Sequence, residues 1–294
     1  MKFPSKAILK AAARAAIILP VNVKRLFYRI PFLSKLIRKT LNAAAPEGFT
    51  RVTIASGPAE GLDMRLDLHA EKDYWLGTYE PDLQLAAEKM ISPVSVVYDV
   101  GANIGYISLM CASLTAEEGH IFSFEALPSN IIRLTENVAI NNLSSRITIV
   151  HAAVISQNGP VTFYTHQSGA MGKAAGSAGR DEKYLDSVMV NGVALDDFVY
   201  NGKHPVPDIV KMDIEGGEGN ALKGAGKLLT AGKPSFLIEL HGEVAARSVW
   251  EILVNHGYQI HTLERNFPQV HDASQLDWKA YIVAVHESKA TLIT

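Results

Sequence analysis

Apolar residues along this chain fall into short runs that alternate with longer stretches of helical periodicity. The apolar runs predict seven buried strands: Val96–Val100, Ile121–Glu125, Ile147–Val150, Ile209–Ile214, Phe236–Leu240, Tyr258–Leu263 and Tyr281–Val285. The clearest helical stretches are Gly105–Ala116, Asn130–Asn141, Gly217–Leu229 and Glu243–His256. Strands that alternate with helices form right-handed βαβ units, so the pattern predicts an α/β fold with a doubly wound, mostly parallel seven-stranded sheet.

Two further elements precede this sheet. Strands over Phe49–Ala55 and Leu62–Leu68 flank the turn S-G-P-A-E-G and predict an N-terminal β-hairpin. Helical periodicity over Ala7–Leu19 and Val23–Leu41 predicts a helical segment ahead of the hairpin.

Charge separates the helical segment from the rest of the chain. Residues 1–45 carry ten lysines or arginines and no acid, although the whole chain has a net charge of only −2. The remaining 18 basic and 30 acidic residues give the body −12. We therefore divide the chain into a basic helical N-terminal segment, residues 1–45, and one domain, residues 46–294.

Basic residues in the N-terminal segment are interleaved with aliphatic and aromatic ones, a composition typical of helices on an anionic membrane surface. Nine uncharged residues separate Arg14 from Lys24, far fewer than the roughly 20 that a membrane-spanning helix needs. Two interpretations stay open: peripheral contact with the inner face of a membrane, or a helical cap packed on the domain.

No secretory signal is expected, and the single cysteine, Cys111, indicates a reducing, cytoplasmic compartment. The sequence leaves the oligomeric state open.

A glycine turn follows the first strand of the sheet, in the stretch Y-D-V-G-A-N-I-G-Y from Tyr98 to Tyr106. Glycines allow the backbone to approach a ligand, and open α/β sheets bind ligands at the carboxyl ends of their strands. The second strand ends in Glu125, 20 residues after Gly105, where a carboxylate can accept hydrogen bonds from two ribose hydroxyls. The two features together predict a site for a nucleoside-like ligand.

Acidic residues and a histidine follow the fourth and fifth strands. Asp213 and Glu215 come after the fourth strand, and Glu239 and His241 end or follow the fifth. Neighbouring parallel strands should bring these four groups to one edge of the sheet. There they could act as a base, bind a substrate through hydrogen bonds, or ligate a divalent metal.

Five motifs in one order resemble those of FkbM-type methyltransferases, over roughly residues 70–265. They are W-x-G-x-Y-E-P at Trp75–Pro81, D-V-G-A-N-I-G at Asp99–Gly105, Phe124-Glu125, L-D-D at Leu195–Asp197, and K-x-D-x-E-G-x-E at Lys211–Glu218. The glycine turn also resembles the D-x-G-x-G-x-G turn of class I methyltransferases, with Asn103 at the middle glycine. The chain departs from the family at Ala126, where proline is common.

The resemblance implies a Rossmann-like class I methyltransferase fold and S-adenosylmethionine as methyl donor. It implies O-methylation of a hydroxyl of a sugar, glycan or polyketide-like small molecule. Residues expected at the donor site are Tyr79, Glu80, Asp99, Gly101, Ala102, Asn103, Gly105, Glu125, Ala126 and Asp213. A hydroxyl acceptor needs a base, for which Asp213 and His241 are the candidates. Glu215 and Glu239 are then expected to orient the acceptor or a divalent metal.

Three alternative functions differ from this one in the motifs or the charge that they require. A nicotinamide-dependent oxidoreductase should carry G-x-G-x-x-G, which the sequence lacks. The acidic body argues against a nucleic-acid methyltransferase, so no nucleic-acid partner is expected. A non-catalytic protein that binds S-adenosylmethionine stays open.

The Gly- and Ala-rich stretch Gln167–Gly179 predicts a mobile loop, either a lid or an inert insertion.

Overall fold

The computed structural model describes residues 5–18, 31–165, 172–178, 186–264, 266–277, 279 and 281–292. Its α-helices are α1 (Ser5–Ile18), α2 (Pro31–Ala44), α3 (Lys72–Leu76), α4 (Pro81–Met90), α5 (Tyr106–Leu114), α6 (Pro128–Ile140), α7 (Glu218–Lys223) and α8 (Glu243–Asn255). Its strands are β1 (Phe49–Thr53), β2 (Asp63–Asp67), β3 (Val96–Val100), β4 (His120–Glu125), β5 (Ile147–His151), β6 (Ala153–Val154), β7 (Gly159–Thr165), β8 (Gly172–Ala174), β9 (Asp186–Val193), β10 (Ile209–Met212), β11 (Ser235–Glu239), β12 (Tyr258–Thr262), β13 (Gln269–Val270) and β14 (Tyr281–His286). Short π- and 3-10-helical turns lie at Asp197–Asn201, Leu228–Gly232, Ala273–Gln275 and Glu287–Leu292.

The central sheet has eight strands in the order β13-β12-β14-β11-β10-β3-β4-β5. Strands β11, β10, β3, β4 and β5 run parallel, whereas β14 is antiparallel to both of its neighbours. Counted along the chain, the seven longer strands are ordered 3-2-1-4-5-7-6, which places a switch point between β3 and β10. The predicted doubly wound, mostly parallel sheet is confirmed, with β13 added as a two-residue edge strand.

Alternate residues of the parallel strands bury both faces of this sheet. On one face Val97 and Ile209 pack with side chains of α4, α5 and α6. On the other face Tyr98 and Val210 pack with side chains of α7 and α8. The strands are therefore apolar throughout, because neither face of the sheet meets solvent.

The predicted hairpin is confirmed, and the helical segment ahead of it packs on the domain. Strands β1 and β2 pair antiparallel. Leu41 of α2 is buried in the core, and Ile8 and Leu9 of α1 are partly buried against it. Among the residues that the structure describes, every helix is too short or too polar to cross a bilayer. Residues 19–30, which include part of the second predicted helix, lie outside the described residues, and the domain boundary at residue 45 stays a prediction.

A second sheet has four strands in the order β6-β9-β7-β8. Its strand β8 lies within the stretch that was predicted to be a loop. Residues Gly172–Ala174 were expected in a mobile loop, but they form β8 and pair with Phe163–Thr165. A Cβ atom on Gly172 would lie 2.4 Å from Cε1 of Phe163. The small residue that predicted a loop therefore lets a strand pass close to an aromatic ring. Of the rest of the predicted loop, residues 167–171 and 179 lie outside the described residues.

Candidate active site

A cleft of about 310 Å³ opens at the carboxyl ends of the parallel strands, beside the switch point of the sheet. Each of four neighbouring strands ends in a residue that lines it: Gly101 after β3, Glu125 in β4, Asp213 after β10 and Glu239 in β11. This position is the one that open α/β sheets use for ligands, and the volume lies in the range of about 300–1,000 Å³ usual for small-molecule sites.

The turn after β3 requires glycine at position 101, where it packs against the end of the neighbouring strand β10. Gly101 has φ +80°, and a Cβ atom on it would lie 2.0 Å from the carbonyl oxygen of Asp213. The N–H groups of Gly101 and Ala102 both donate to the carbonyl oxygen of Phe124, at 3.0 and 2.9 Å. The ends of three strands are thereby joined by main-chain contacts, which leaves the space above them open to a ligand.

Glu125 is buried at one end of the cleft. Its Oε2 accepts from the N–H of Asn103 at 2.8 Å, and its Oε1 accepts from the N–H of Leu127 at 2.8 Å. Burial raises the pKa of this carboxyl, while the two backbone donors act in the opposite direction. Hydrogen bonds from Ala126 and Asn130 also lower the pKa of this carboxyl, and a buried carboxylate that accepts several hydrogen bonds is suited to the two hydroxyls of a ribose.

Three residues that line the cleft have a left-handed backbone without being glycine. They are Glu80, Asn103 and Glu215, with φ of 48°, 50° and 53°. Such a conformation costs about 1–2 kcal/mol in a non-glycine residue, although asparagine tolerates it best. Three polar residues with this backbone thus line one space, an arrangement that occurs at functional sites.

Lys211 ties β10 to β3 beneath the cleft. It is paired in register with Asp99, and its Nζ lies 3.4 Å from Asp99 Oδ1 and 3.7 Å from Asp213 Oδ2. The same Nζ donates to the carbonyl oxygen of Gly101 at 3.1 Å. Burial lowers the pKa of Lys211, but the charges of Asp99, Asp213 and Glu239 outweigh burial and raise it. The lysine is a fixed cation that holds Asp213 at the rim of the cleft.

Glu218, the first residue of α7, fixes the orientation of His241. The buried Oε1 of Glu218 accepts from the N–H groups of Gly216 at 3.1 Å and Ile214 at 3.3 Å, and lies 3.0 Å from Nδ1 of His241. Because this oxygen already accepts two backbone N–H groups and a carboxylate has no proton to donate, we assign the proton of the third contact to Nδ1 of His241. Nε2 is therefore the nitrogen available for chemistry.

Nε2 of His241 lies among three carboxylates. Its distances to Asp213 Oδ1, Glu215 Oε2 and Glu239 Oε1 are 3.8, 3.7 and 3.6 Å. Burial disfavours the charged ring, but the hydrogen bond to Glu218 and the charges of Glu218, Asp213 and Glu215 outweigh it and raise the pKa of His241 to about 9. The histidine is thus largely protonated at neutral pH in the free protein.

Glu239 and Glu80 complete the acidic cluster. The hydroxyl of Tyr281 donates to Oε2 of Glu239 at 2.7 Å. Burial and the charge of Asp213 raise the pKa of Glu239. Burial, together with the charges of Glu239 and Asp213, raises the pKa of Glu80 to about 7. Nearby negative charge adds to burial in raising the pKa values of Glu80 and Glu239, because these groups share a confined, partly buried space.

The cluster also offers ligands for a divalent cation. One ligand atom each from Asp213, Glu239 and His241 lies within 4.8 Å of the others. Carboxylate oxygens and an imidazole nitrogen suit manganese or zinc, and the carboxylates alone suit magnesium. The Nδ1–H bond to Glu218 would orient His241 for such a role, as acidic partners do for metal-bound histidines.

Most of the predicted site residues meet in the cleft. Those that line it are Tyr79, Glu80, Gly101, Asn103, Glu125, Ala126, Asp213, Glu215, Glu239 and His241. Ala102 and Gly105 belong to the turn but are not among the lining residues. Asp99 lies beneath the cleft, fully buried, where it accepts from Ser108 Oγ at 2.6 Å and faces Lys211.

Sequence reasoning did not single out three residues that organise the site. Lys211 and Glu218 stand within the K-x-D-x-E-G-x-E motif, so their motif positions were a usable signal. Tyr281, which contacts Glu239 from β14, has no motif around it. Its place follows from the antiparallel pairing of Glu239 with Tyr281, which the sequence alone does not reveal.

Comparisons with known proteins found one curated relative and several solved structures that are similar to this chain. The hexuronic acid methyltransferase AglP of Haloferax volcanii is 28% identical over 158 residues, which cover 54% of this chain and 61% of AglP. Among solved structures, a methyltransferase FkbM from Methylobacillus flagellatus is 20% identical, with a TM-score of 0.44 over 74% of this chain and 53% of its own. An S-adenosylmethionine-dependent O-methyltransferase from Thermotoga maritima is 14% identical, with a TM-score of 0.43 over 71% of this chain and 65% of its own.

The chain thus spans about three fifths of the curated relative that it matches and about half of the FkbM structure. The family model itself matches more than half of this chain. Residues 99–260 match the methyltransferase FkbM domain, from the acid of the glycine turn to the middle of β12. The chain therefore belongs to the FkbM family of S-adenosylmethionine-dependent methyltransferases.

Proposed function

We propose that this protein transfers a methyl group from S-adenosylmethionine to a hydroxyl oxygen of a sugar or glycan. One observation carries the proposal: a single cleft has a ribose-type carboxylate, Glu125, at one end and the His241–Asp213 cluster at the other. A donor site and proton-accepting groups thus share one continuous space.

The donor end of the cleft is made by the glycine turn and Glu125. S-adenosylmethionine, when bound, supplies a methyl group on a sulfonium, and its transfer to an acceptor is an in-line displacement. Glu125 would accept the ribose hydroxyls, and the main chain at Gly101 leaves room for close approach. The acidic lining favours a cationic donor, because negative charges stabilise a positive one in a confined site.

The acceptor end holds groups that can take a proton from a hydroxyl. Asp213 is held by Lys211 at the rim, and His241 presents Nε2 beside it. Asp213 or the neutral form of His241 would accept the proton, and the raised pKa of His241 means that its neutral form becomes common only at high pH. Glu215 and Glu239 would orient the acceptor or hold a divalent cation. Activity lost on chelation and restored by magnesium or manganese would favour the cation.

The charge of the cleft favours a hydroxyl acceptor over a carboxylate. AglP is named for a hexuronic acid, and a hexuronic acid offers both kinds of oxygen. Five described lining residues are acidic, namely Glu80, Glu125, Asp213, Glu215 and Glu239, and His241 is the only cationic side chain among the described lining residues. A carboxylate acceptor would be repelled by these acids, whereas a hydroxyl needs the base that they supply.

Transfer of a labelled methyl group tests the proposal. The protein is incubated with methyl-labelled S-adenosylmethionine and with neutral sugars, hexuronic acids and oligosaccharides that contain them. A base-stable methyl ether is the expected product. A base-labile methyl ester would contradict the hydroxyl assignment, and tight donor binding without any labelled product across the panel would favour a non-catalytic binding protein.

A further inference from the structure

The helix α2 has two faces of opposite character. Leu41 and Ala44 are buried against the domain. Phe32, Lys35, Leu36 and Lys39 recur at the spacing i, i+3, i+4 and i+7, so they share the opposite face, and all four are exposed. Phe32 and Leu36 leave 78% and 50% of their surface uncovered. Large apolar side chains flanked by lysines thus project from a helix that is anchored on its other side.

The helix α1 repeats the arrangement. Ile8, Leu9, Ala12 and Ala13 pack toward the core, whereas Ala11, Arg14, Ala15 and Ile18 are exposed and recur at the same i, i+3, i+4, i+7 spacing. Ile18 is 76% exposed. The two helices contact each other, so their outward faces belong to one region of the protein. We call the residues Arg14, Ile18, Phe32, Lys35, Leu36 and Lys39 the basic apolar face.

We propose that the basic apolar face binds an anionic lipid bilayer and holds the enzyme peripherally on its surface. Insertion of Phe32, Leu36 and Ile18 into the interfacial region would remove apolar surface from water. Arg14, Lys35 and Lys39 would then lie at the level of the lipid headgroups, where cations are attracted to anionic lipid.

Charge supports a bilayer rather than a nucleic acid or an acidic protein as the partner. All ten cations of residues 1–45 occur without a single acid, while the body carries −12. An anionic surface therefore attracts the N-terminal helices and repels the body, which fixes the orientation of the protein. Burial of the exposed Phe32 and Leu36 would stabilise binding to a bilayer, which has an apolar interior. It would not stabilise binding to a phosphate backbone.

The helix α1 also contacts α3, and Tyr74 of α3 lines the cleft. Helix α1 thus lies against an element of the active-site wall, although the proposal does not depend on the reaction catalysed. Bilayer binding and methyl transfer are measured separately, so the failure of one leaves the other standing.

Co-sedimentation of the full chain with vesicles tests the proposal. Binding is expected to vesicles of phosphatidylcholine with phosphatidylglycerol, to weaken with added salt, and to be far weaker with phosphatidylcholine alone. Lys35→Gln with Lys39→Gln should weaken binding about 30-fold, since each basic residue near the surface contributes about 1 kcal/mol and 1.4 kcal/mol is tenfold. Phe32→Ser with Leu36→Ser should weaken it at least roughly tenfold.

Matched exposed residues on the body serve as controls. Lys203→Gln with Lys223→Gln removes the same charge elsewhere, and Val94→Ser with Val244→Ser removes exposed apolar groups elsewhere. Both control variants should bind as the parent does, and all variants should keep the parental thermal unfolding temperature. Equal loss in the control and face variants would overturn the proposal. So would a lipid-independent, concentration-dependent dimer that only the face variants abolish, because that face would then be a protein interface.

Discussion

Nδ1 of His241 lies 3.0 Å from Oε1 of Glu218, a carboxylate that is fully buried at the start of α7. The same oxygen accepts the N–H groups of Ile214 and Gly216, so Glu218 closes the loop after β10 and orients the histidine after β11. One buried acid thereby sets both the position of the acidic loop and the tautomer of the ring. We regard Glu218 as a positioning residue for His241.

The first prediction concerns the pH dependence that Glu218 imposes. The pKa of His241 is raised to about 9, so kcat/KM that depends on the neutral ring should rise with pH up to that value. Glu218→Gln keeps an acceptor for Nδ1–H but removes a negative charge, so the pKa falls and the rising limb should move to lower pH. A pH–rate profile of both proteins checks this. If kcat/KM rises over the same pH range in both proteins, Glu218 does not raise the pKa of His241.

The second prediction concerns the donor. Glu125→Ala should weaken binding of S-adenosylmethionine or its demethylated product by about 1–3 kcal/mol, because buried ribose hydroxyls would lose a charged acceptor. Isothermal titration calorimetry measures the change. Glu118→Ala, which removes an exposed acid just before β4, is the control and should leave affinity unchanged. Parental affinity in the Glu125 variant would remove this residue from the donor site.

The third prediction separates close approach from backbone conformation. Gly101→Ala forces a Cβ atom to within 2.0 Å of the Asp213 carbonyl oxygen, whereas Gly61→Ala, at a similar φ of +87°, meets no atom within 4 Å. Gly61→Ala should cost about 1–2 kcal/mol of unfolding free energy from the left-handed backbone alone. Gly101→Ala should lower the unfolding free energy by clearly more than Gly61→Ala does. It should also weaken the binding of S-adenosylmethionine. Denaturant unfolding measures the unfolding free energy of both variants. Equal losses would mean that the backbone moves enough to remove the clash between the new Cβ atom and the carbonyl oxygen of Asp213.

The sequence predicts the strands well because burial on both faces makes each of them continuously apolar. It also places Asp213, Glu215, Glu239 and His241 together, since neighbouring parallel strands must end at one edge of the sheet. It cannot reveal contacts that depend on pairing across the sheet. Tyr281 reaches Glu239 only through the antiparallel register of β14 with β11.

Local composition misled in one stretch, and the depth of one expected site residue could not be read from its motif. The Gly- and Ala-rich stretch around Gly172 resembles a loop, yet small residues are what strand pairing beside Phe163 requires. The acid Asp99 resembles a ligand-binding group, yet its carboxylate lies beneath the cleft with Ser108 and Lys211. The left-handed backbone of Glu80 leaves no trace in the sequence, because glutamate is not a residue that favours it.

Turnover of two base variants tests the central claim most directly: that the cluster after β10 and β11 accepts the proton of a sugar hydroxyl. Asp213→Asn and His241→Ala are compared with the parent and with Glu243→Gln, an exposed acid at the start of α8. Labelled methyl transfer gives turnover, and calorimetry gives donor affinity. The account predicts that each base variant loses roughly 10²–10⁴-fold in turnover with donor affinity nearly intact, while the control keeps both. Parental turnover in both base variants would contradict it.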